Sequence, residues 1–180
     1  MTDNMKLVFP TMEYKEKAVQ FINEFYENGS EINGSGALDF YLSDFTYEEW
    51  LQKLQKDIDM ANIAPGRVPA LTYFYVREED DCIVGMINLR LTLNDFQRNE
   101  GGHIGYCVRP TERRKHYATM MLKDALEVYK LLSVSSVLIS CDTTNVGSQN
   151  TIKNNGGRLI REFYSETFKV DAQMYSIDLE

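Results

Sequence analysis

A short basic segment between a strand-like run and a helical pattern constrains the fold of this chain most. The apolar run Ile104-Gly105-Tyr106-Cys107-Val108 is followed by Arg113-Arg114-Lys115-His116-Tyr117-Ala118, and helical spacing begins directly behind it. A strand that enters a helix through a tight turn leaves the first N–H groups of that helix unpaired and pointing toward one place. An anionic phosphate is the natural ligand of such a place. The sequence therefore predicts a phosphate-bearing ligand at this turn.

Length and composition predict a single domain over residues 1–180. The chain has 180 residues, of which 43% are hydrophobic and 12% aromatic, and this is enough to bury a full core. No segment approaches the apolar length of a membrane span, so we expect no membrane partner. Because the N-terminal residues 1–6 lack the apolar core of a signal peptide, we expect a cytoplasmic location.

Charge and cysteine content narrow the classes of partner. The chain carries 19 Lys and Arg against 27 Asp and Glu, a net charge of −8, which argues against a nucleic-acid partner and suits a cationic substrate such as an amine. Cys82, Cys107 and Cys141 are odd in number and lack the spacing of metal ligands. We therefore expect free, reduced thiols and no metal site.

Hydrophobic periodicity predicts an alternation of strands and helices around one sheet. The order is strand, two helices, three strands, helix, strand, helix and two strands. The stretch from Gly29 to Asp44 is interpreted as a loop, and Thr46 with Glu49 as a capping box that begins the second helix. The predicted strands span 5–9, 70–76, 82–93, 103–108, 137–141, 158–168 and 173–179. The last two are expected to pair through a turn near Asp171. This is a mixed α/β layout.

The segment 105–119, followed by Asn145, Ser148 and Gly156-Gly157, resembles the core of the GNAT superfamily of acetyl-coenzyme A dependent N-acetyltransferases. The family signature is Arg or Gln, two residues, Gly, one residue, then Gly or Ala. Arg113 and Ala118 satisfy its ends, but His116 replaces the first glycine. A Cβ at that position limits how closely a pyrophosphate approaches the backbone. The resemblance implies a central, mixed, mostly antiparallel seven-stranded sheet with about four helices on its faces.

The resemblance also implies a binding role for particular positions. Backbone groups where the strand 104–108 separates from its neighbour would pair with the pantetheine arm of acetyl-CoA. The N–H groups from 114 to 119, with nearby basic side chains, would hold the pyrophosphate. The implied cofactor-binding residues are Tyr106, Cys107, Val108, Arg113, Arg114, Lys115, His116, Tyr117, Ala118, Thr119, Asn145 and Ser148. Two alternatives stay open: Asn145 is only a helix cap, or the basic run is an ordinary solvated turn.

Catalytic residues are less clear, because Ser140 and Ile152 stand where ribosomal-protein acetyltransferases of this superfamily carry a Glu and a Tyr. His103 lies about where histone-type relatives place a basic Glu, and its ordinary pKa suits a general base. Tyr164 is a candidate proton donor to the sulfur. The alternatives are an exposed histidine at a strand end and a packing tyrosine. A covalent intermediate on a cysteine is disfavoured, since no activating His lies at recognisable spacing.

These implications lead to two hypotheses about function. The first is an N-acetyltransferase that moves the acetyl group of acetyl-CoA to a primary amine of a small molecule or peptide by direct attack. Its acceptor pocket would be formed by the loop 29–44, the second helix and the final hairpin. The alternative is a catalytically idle CoA-binding sensor or interaction module, which the departures at His116, Ser140 and Ile152 motivate. Exposed strand edges near the C-terminus make a homodimer possible.

Overall fold

Seven strands form two antiparallel sheets in the computed structural model, which describes residues 3–61 and 63–179. The first sheet has the order β1-β2-β3-β4 and the second the order β5-β7-β6. The strands are β1 (Met5–Val8), β2 (Ala70–Arg77), β3 (Cys82–Arg90), β4 (Ile104–Val108), β5 (Ser136–Asp142), β6 (Arg158–Ser165) and β7 (Val170–Asp178). The helices are α1 (Lys15–Glu27), α2 (Leu38–Asp44), α3 (Tyr47–Ile58), α4 (Tyr117–Leu131) and α5 (Val146–Asn154).

The predicted fold class is confirmed, with a difference in the sheet. The seven strands divide into a group of four and a group of three instead of one continuous sheet, and every hydrogen-bonded strand pair in them is antiparallel. The two sheets meet where β4 begins, through hydrogen bonds between His103 and Leu138. Beyond that point β4 and β5 form no ladder in the described residues.

Local sequence patterns correctly predicted a helix cap and a hairpin. Thr46 and Glu49 form the predicted capping box, with the Glu49 N–H donating to Thr46 Oγ1 and the Thr46 N–H donating to the Glu49 carboxylate. The hairpin of β2 and β3 was also predicted, although β3 ends at Arg90 rather than at residue 93.

Two other features, a helix and a turn, were predicted wrongly. Part of the stretch interpreted as a loop is the helix α2, which begins after Ala37 in a left-handed conformation (φ 69°) and buries Leu38. Its seven residues are too few for a clear periodicity, and the glycines before it suggested a loop. The last hairpin turns at 166–169 rather than near Asp171, because Ser165 accepts hydrogen bonds from the N–H groups of Phe168 and Lys169.

Buried residues fall into two clusters on opposite faces of the strands. One lies under α1 and α3 and includes Phe21, Trp50 and Phe74. The other lies under α4, whose buried stripe is Tyr117, Met121, Leu122, Ala125, Leu126 and Tyr129. Burying each large apolar side chain contributes roughly 1.5–3 kcal/mol. This stripe therefore fixes the start of α4 directly behind the basic turn. None of the helices in the described part of the chain is both long and apolar enough to cross a membrane.

Candidate active site

The two sheets separate along β4 and leave a wedge between β4 and β5. At its closed end, the His103 N–H donates to Leu138 O at 2.6 Å, and the Leu138 N–H donates to His103 Nδ1 at 2.8 Å. These bonds fix where the two strands begin to diverge. Beyond them, one backbone edge of β4 faces the wedge instead of another strand.

The pairing of β4 with β3 shows which backbone groups face the wedge. The Arg90 N–H donates to His103 O and the Arg109 N–H donates to Val84 O, so the odd-numbered residues between them face β3. The N–H and C=O groups of Tyr106 and Val108 consequently point away from β3, as the predicted pantetheine contact requires. Val108 O also accepts a hydrogen bond from Arg113 Nε at 3.3 Å. The backbone of Cys107 faces β3 instead, so this geometry does not suit the backbone contact predicted for it.

The basic turn leaves a row of backbone N–H groups unpaired. Arg114 (φ 63°) and His116 (φ 65°) both adopt the left-handed conformation, and α4 begins at Tyr117 with no side-chain cap from His116. Within the described residues, no hydrogen-bond acceptor pairs with the amides from 114 to 119. Alternating right- and left-handed residues create concave groups of N–H donors that bind anions. The turn thus fits a pyrophosphate.

The basic side chains at the turn differ in their availability. Arg113 packs over the ring of Phe25 and donates to Ser30 Oγ at 3.1 Å. Lys115 pairs with Glu112 at 2.8 Å. Arg114 is exposed and makes no ion pair with any described residue. Of the three predicted cations, Arg114 is therefore the one available to a phosphate without breaking a contact.

Two side chains, one from β4 and one from α5, form a hydrogen-bonded pair. The Tyr106 hydroxyl and Ser148 Oγ lie 2.6 Å apart, and burial raises the pKa of Tyr106 to about 12. Asn145 caps α5 because its Oδ1 accepts from the Ser148 N–H at 3.0 Å, so the predicted cap is present. Its Nδ2 donates to no described residue and stays available to a ligand. The Tyr106 side chain was not among the sequence candidates for catalysis, since only its backbone was considered.

The structure does not bring the two predicted catalytic side chains together. His103 Nδ1 already accepts from the Leu138 N–H, so the neutral ring carries its proton on Nε2. Burial, aided by the charge of Arg90, lowers the pKa of His103 to about 4. This arrangement does not suit a general base. Tyr164 is half exposed on β6, which β7 separates from β5, roughly 10 Å away at ordinary strand spacing.

The cysteines are free, and no metal site involves them. Burial raises the pKa of Cys107 to about 12, so its thiol stays protonated. Burial also raises the pKa of Cys141. Within 3–61 and 63–179 there is no cluster of three His, Cys, Asp or Glu side chains that could hold a metal ion.

Comparison with known proteins places this arrangement in a family. The family model described as acetyltransferase (GNAT) domain matches residues 30–158. The microcin C7 self-immunity acetyltransferase MccE, solved with acetyl-CoA and AMP, superposes with a TM-score of 0.72 at 19% identity, covering 98% of this chain and 93% of that chain. The ribosomal L7/L12 α-N-protein acetyltransferase RimL, solved with coenzyme A, has a TM-score of 0.70 at 15% identity, with 99% and 96% covered.

A third similar structure is the ribosomal-protein-S5-alanine acetyltransferase from Vibrio fischeri, with a TM-score of 0.67 at 17% identity and 98% and 92% coverage. A search of curated proteins found no match. At these identities the structural likenesses establish the fold alone, whereas the family model spans well over half of the sequence. The chain belongs to the GNAT acetyltransferase family.

Proposed function

We propose that the protein is an N-acetyltransferase that uses acetyl-CoA and acts on a primary amine of a small molecule or peptide. The observation that carries this proposal is the combination of unpaired amides from 114 to 119 with the outward backbone edge of β4 at Tyr106. The turn suits a pyrophosphate, and the edge suits the amide-bearing arm of the same cofactor. The turn follows the end of β4 directly in the chain, so a single extended ligand can contact both.

The residues present fit acetyl-CoA. The amides of the turn and the Arg114 guanidinium would hold the pyrophosphate, where the N-terminal end of α4 adds a favourable dipole. The backbone of Tyr106 and Val108 would hold the pantetheine arm, with Asn145 Nδ2 facing it from α5. When bound, acetyl-CoA supplies an acetyl thioester that an amine attacks. The outward amide of β4 would stabilise negative charge at the carbonyl oxygen.

We further propose that Tyr106 and Ser148 donate the proton that the leaving sulfur needs. The Tyr106 hydroxyl keeps its proton at neutral pH because burial raises its pKa to about 12. The 2.6 Å bond to Ser148 Oγ allows a proton to pass between the two hydroxyls, and the proton that the attacking amine loses would return to this pair. Under this proposal His103 has a positioning role, since it joins the two sheets at the closed end of the wedge.

Incubation with acetyl-CoA and a panel of amines, followed by detection of free thiol, tests the activity. Turnover with at least one amine is expected. Coenzyme A binding by calorimetry without thiol release across a broad panel would favour the idle sensor instead. This second candidate function is motivated by Ser140 and Ile152, which stand where some relatives carry a Glu and a Tyr.

The proton-donor assignment has its own test. Tyr106→Phe removes only the hydroxyl, and we expect kcat to fall by about 10²–10⁴-fold, the usual contribution of general acid catalysis. Calorimetry should show little change in coenzyme A affinity. Tyr164→Phe serves as the matched control on the distant strand and should leave kcat unchanged. An unchanged kcat in Tyr106→Phe would contradict the assignment.

A further inference from the structure

A cavity of about 300 Å³ lies on the α3 side of the first sheet, next to the start of β4. The loop 34–37, the segment 66–68, α3 and the ends of β2 and β3 form its wall. The predicted acceptor pocket included this loop and α3, but the final hairpin contributes nothing to the cavity. Its size is at the lower limit for small-molecule sites, so it suits a small ligand.

Arg90 provides the first indication of what this cavity binds. Its Nη1 donates to Gly101 O and Gly102 O, each at 3.0 Å, and the N–H groups on Nε and Nη2 have no acceptor among the described residues. It forms no ion pair with any described carboxylate. Burial lowers the pKa of Arg90, yet a guanidinium remains charged. Arg90 is part-buried, and a guanidinium without a counter-ion at a cavity wall gains from an anionic ligand there.

Gln97 provides the second indication. Its side-chain oxygen Oε1 is fully buried, with no hydrogen-bond partner in the described chain, and the residue lines the same cavity. Buried polar atoms are almost always paired in folded proteins, so a rotation of this amide toward the cavity, where a ligand N–H donates to it, would satisfy the oxygen. An amine N–H is such a donor. The cavity thus offers one group for an anion and another for an amine.

The charge of the cavity wall supports an anionic ligand. Lys53 and Asp57 pair with each other, whereas the exposed Arg67 makes no ion pair within the described residues. Together with Arg90, the wall carries three cations and one carboxylate, a positive excess in a chain whose net charge is −8. Arg67 lies toward solvent, where it attracts an anion, and Arg90 lies deeper.

The cavity adjoins the place where the acetyl group would arrive. A methyl group built on Gly105 would lie 3.6 Å from Arg90 Nη2 and 3.3 Å from the Gly34 nitrogen, and Gly34 lines the cavity. Gly105 directly precedes Tyr106, whose outward amide faces the wedge at the edge of β4. A ligand in the cavity is therefore separated from the wedge by only the width of the β4 backbone.

We propose that this cavity is the acceptor site and that the acceptor is a small amine that also carries an oxyanion group, held by Arg90. Arg67 guides the anion inward, and Gln97 Oε1 accepts a hydrogen bond from the amine. The proposal rests on the acetyltransferase function proposed above. A carboxylate and a phosphate share the required chemistry, so the experiment must distinguish them.

Matched pairs of amines test the proposal. Glycine with glycinamide compares a carboxylate with its neutral amide, and phosphoethanolamine with ethanolamine does the same for a phosphate. The anionic member of at least one pair should have a kcat/KM at least about tenfold higher, because a hydrogen bond to a charged group is worth that factor or more. In the first pair, glycinamide has the less basic amine, so a larger fraction of it is unprotonated at neutral pH and intrinsic reactivity favours it. A preference for glycine would therefore come from the protein. A preference in one pair identifies the anion, and no preference in either overturns the proposal.

Two variants assign the preference to the cavity. Gln97→Glu is nearly isosteric and adds a carboxylate to the wall that also carries Arg90, so it should reduce the anionic preference at least about tenfold. Arg90→Lys keeps the charge and should retain part of the preference. Lys123→Gln removes one positive charge from an exposed position on α4 and is expected to change nothing. An unaltered preference in Gln97→Glu would overturn the assignment.

Calorimetry separates this proposal from the proposed function. Titration of the coenzyme A-loaded protein with the anionic amine measures binding without turnover, and the Gln97→Glu variant should weaken that binding at least about tenfold. Binding that depends on Gln97 without thiol release supports the cavity and contradicts the enzyme. Turnover without binding to the anionic amines contradicts the cavity and leaves the enzyme standing.

Discussion

Replacement of His116 by glycine should stabilise the protein and preserve cofactor binding. His116 has φ 65°, a conformation that costs a residue with a Cβ about 1–2 kcal/mol and costs glycine nothing. The greater freedom of glycine in the unfolded chain offsets roughly 0.5–1 kcal/mol of that gain. The imidazole makes no capping hydrogen bond, so nothing else is lost. A net stabilisation of up to about 1.5 kcal/mol follows, which raises Tm by up to roughly 6 °C in a chain of this length.

Chemical denaturation and calorimetric titration with coenzyme A measure the two effects. His116→Ala is the control, because it keeps the Cβ and removes the imidazole, and it should remain within about 0.5 kcal/mol of the wild type. His116→Val should be less stable than both, since a β-branched residue tolerates this conformation worst. A glycine variant that is less stable than the wild type, or that binds coenzyme A tenfold more weakly, would refute the reasoning.

Three further perturbations test the fold around the site. Gly34→Ala should destabilise by about 1–3 kcal/mol more than Gly29→Ala in denaturant titrations. Both glycines have positive φ, but the new Cβ would approach the Gly105 oxygen only at Gly34, whereas at Gly29 it would meet open space. Equal losses of stability in the two variants would contradict the contact. Thr46→Ala should cost about 1 kcal/mol through loss of the cap on α3. An unchanged Tm would show that the capping box does not matter.

The third perturbation is a change of pH. The pKa of His103 is about 4 in the folded protein and 6.5 ordinarily, so between these values the unfolded chain binds a proton that the folded chain does not. The free energy of unfolding should therefore fall as the pH is lowered from 6.5 to 4. His103→Asn should lose less stability over that range; an equal loss would contradict the assignment.

Much of the fold was predictable because its signals are local. The capping box at Thr46, the apolar stripe of α4 and the charged turn between β2 and β3 each depend on residues close in sequence. The helix α2 was missed because one left-handed residue, Ala37, begins it after a glycine-rich stretch. The two sheets meet through the contact of His103 with Leu138, 35 residues away, and no local pattern signals that contact.

The candidate site was predictable in part for the same reason. The basic turn is one continuous segment, so its geometry follows from the strand before it and the helix behind it. By contrast, Tyr106 and Ser148 are 42 positions apart in the sequence, and the cavity is lined by α3, the segment 66–68 and β3. No local pattern predicts contacts between such distant segments. The overall charge of −8 favoured a cationic acceptor, yet the cavity wall is locally positive because Arg67 and Arg90 converge there. Net charge averages over a surface and does not describe one pocket.

The central claim is that the amides from 114 to 119 bind the pyrophosphate of coenzyme A. Amide chemical shifts of these residues, followed by NMR during titration, test it most directly. With coenzyme A, we expect large downfield proton shifts at these amides, whereas pantetheine, which lacks the pyrophosphate, should leave them unmoved. If coenzyme A binds and these amides keep their shifts, the account is contradicted.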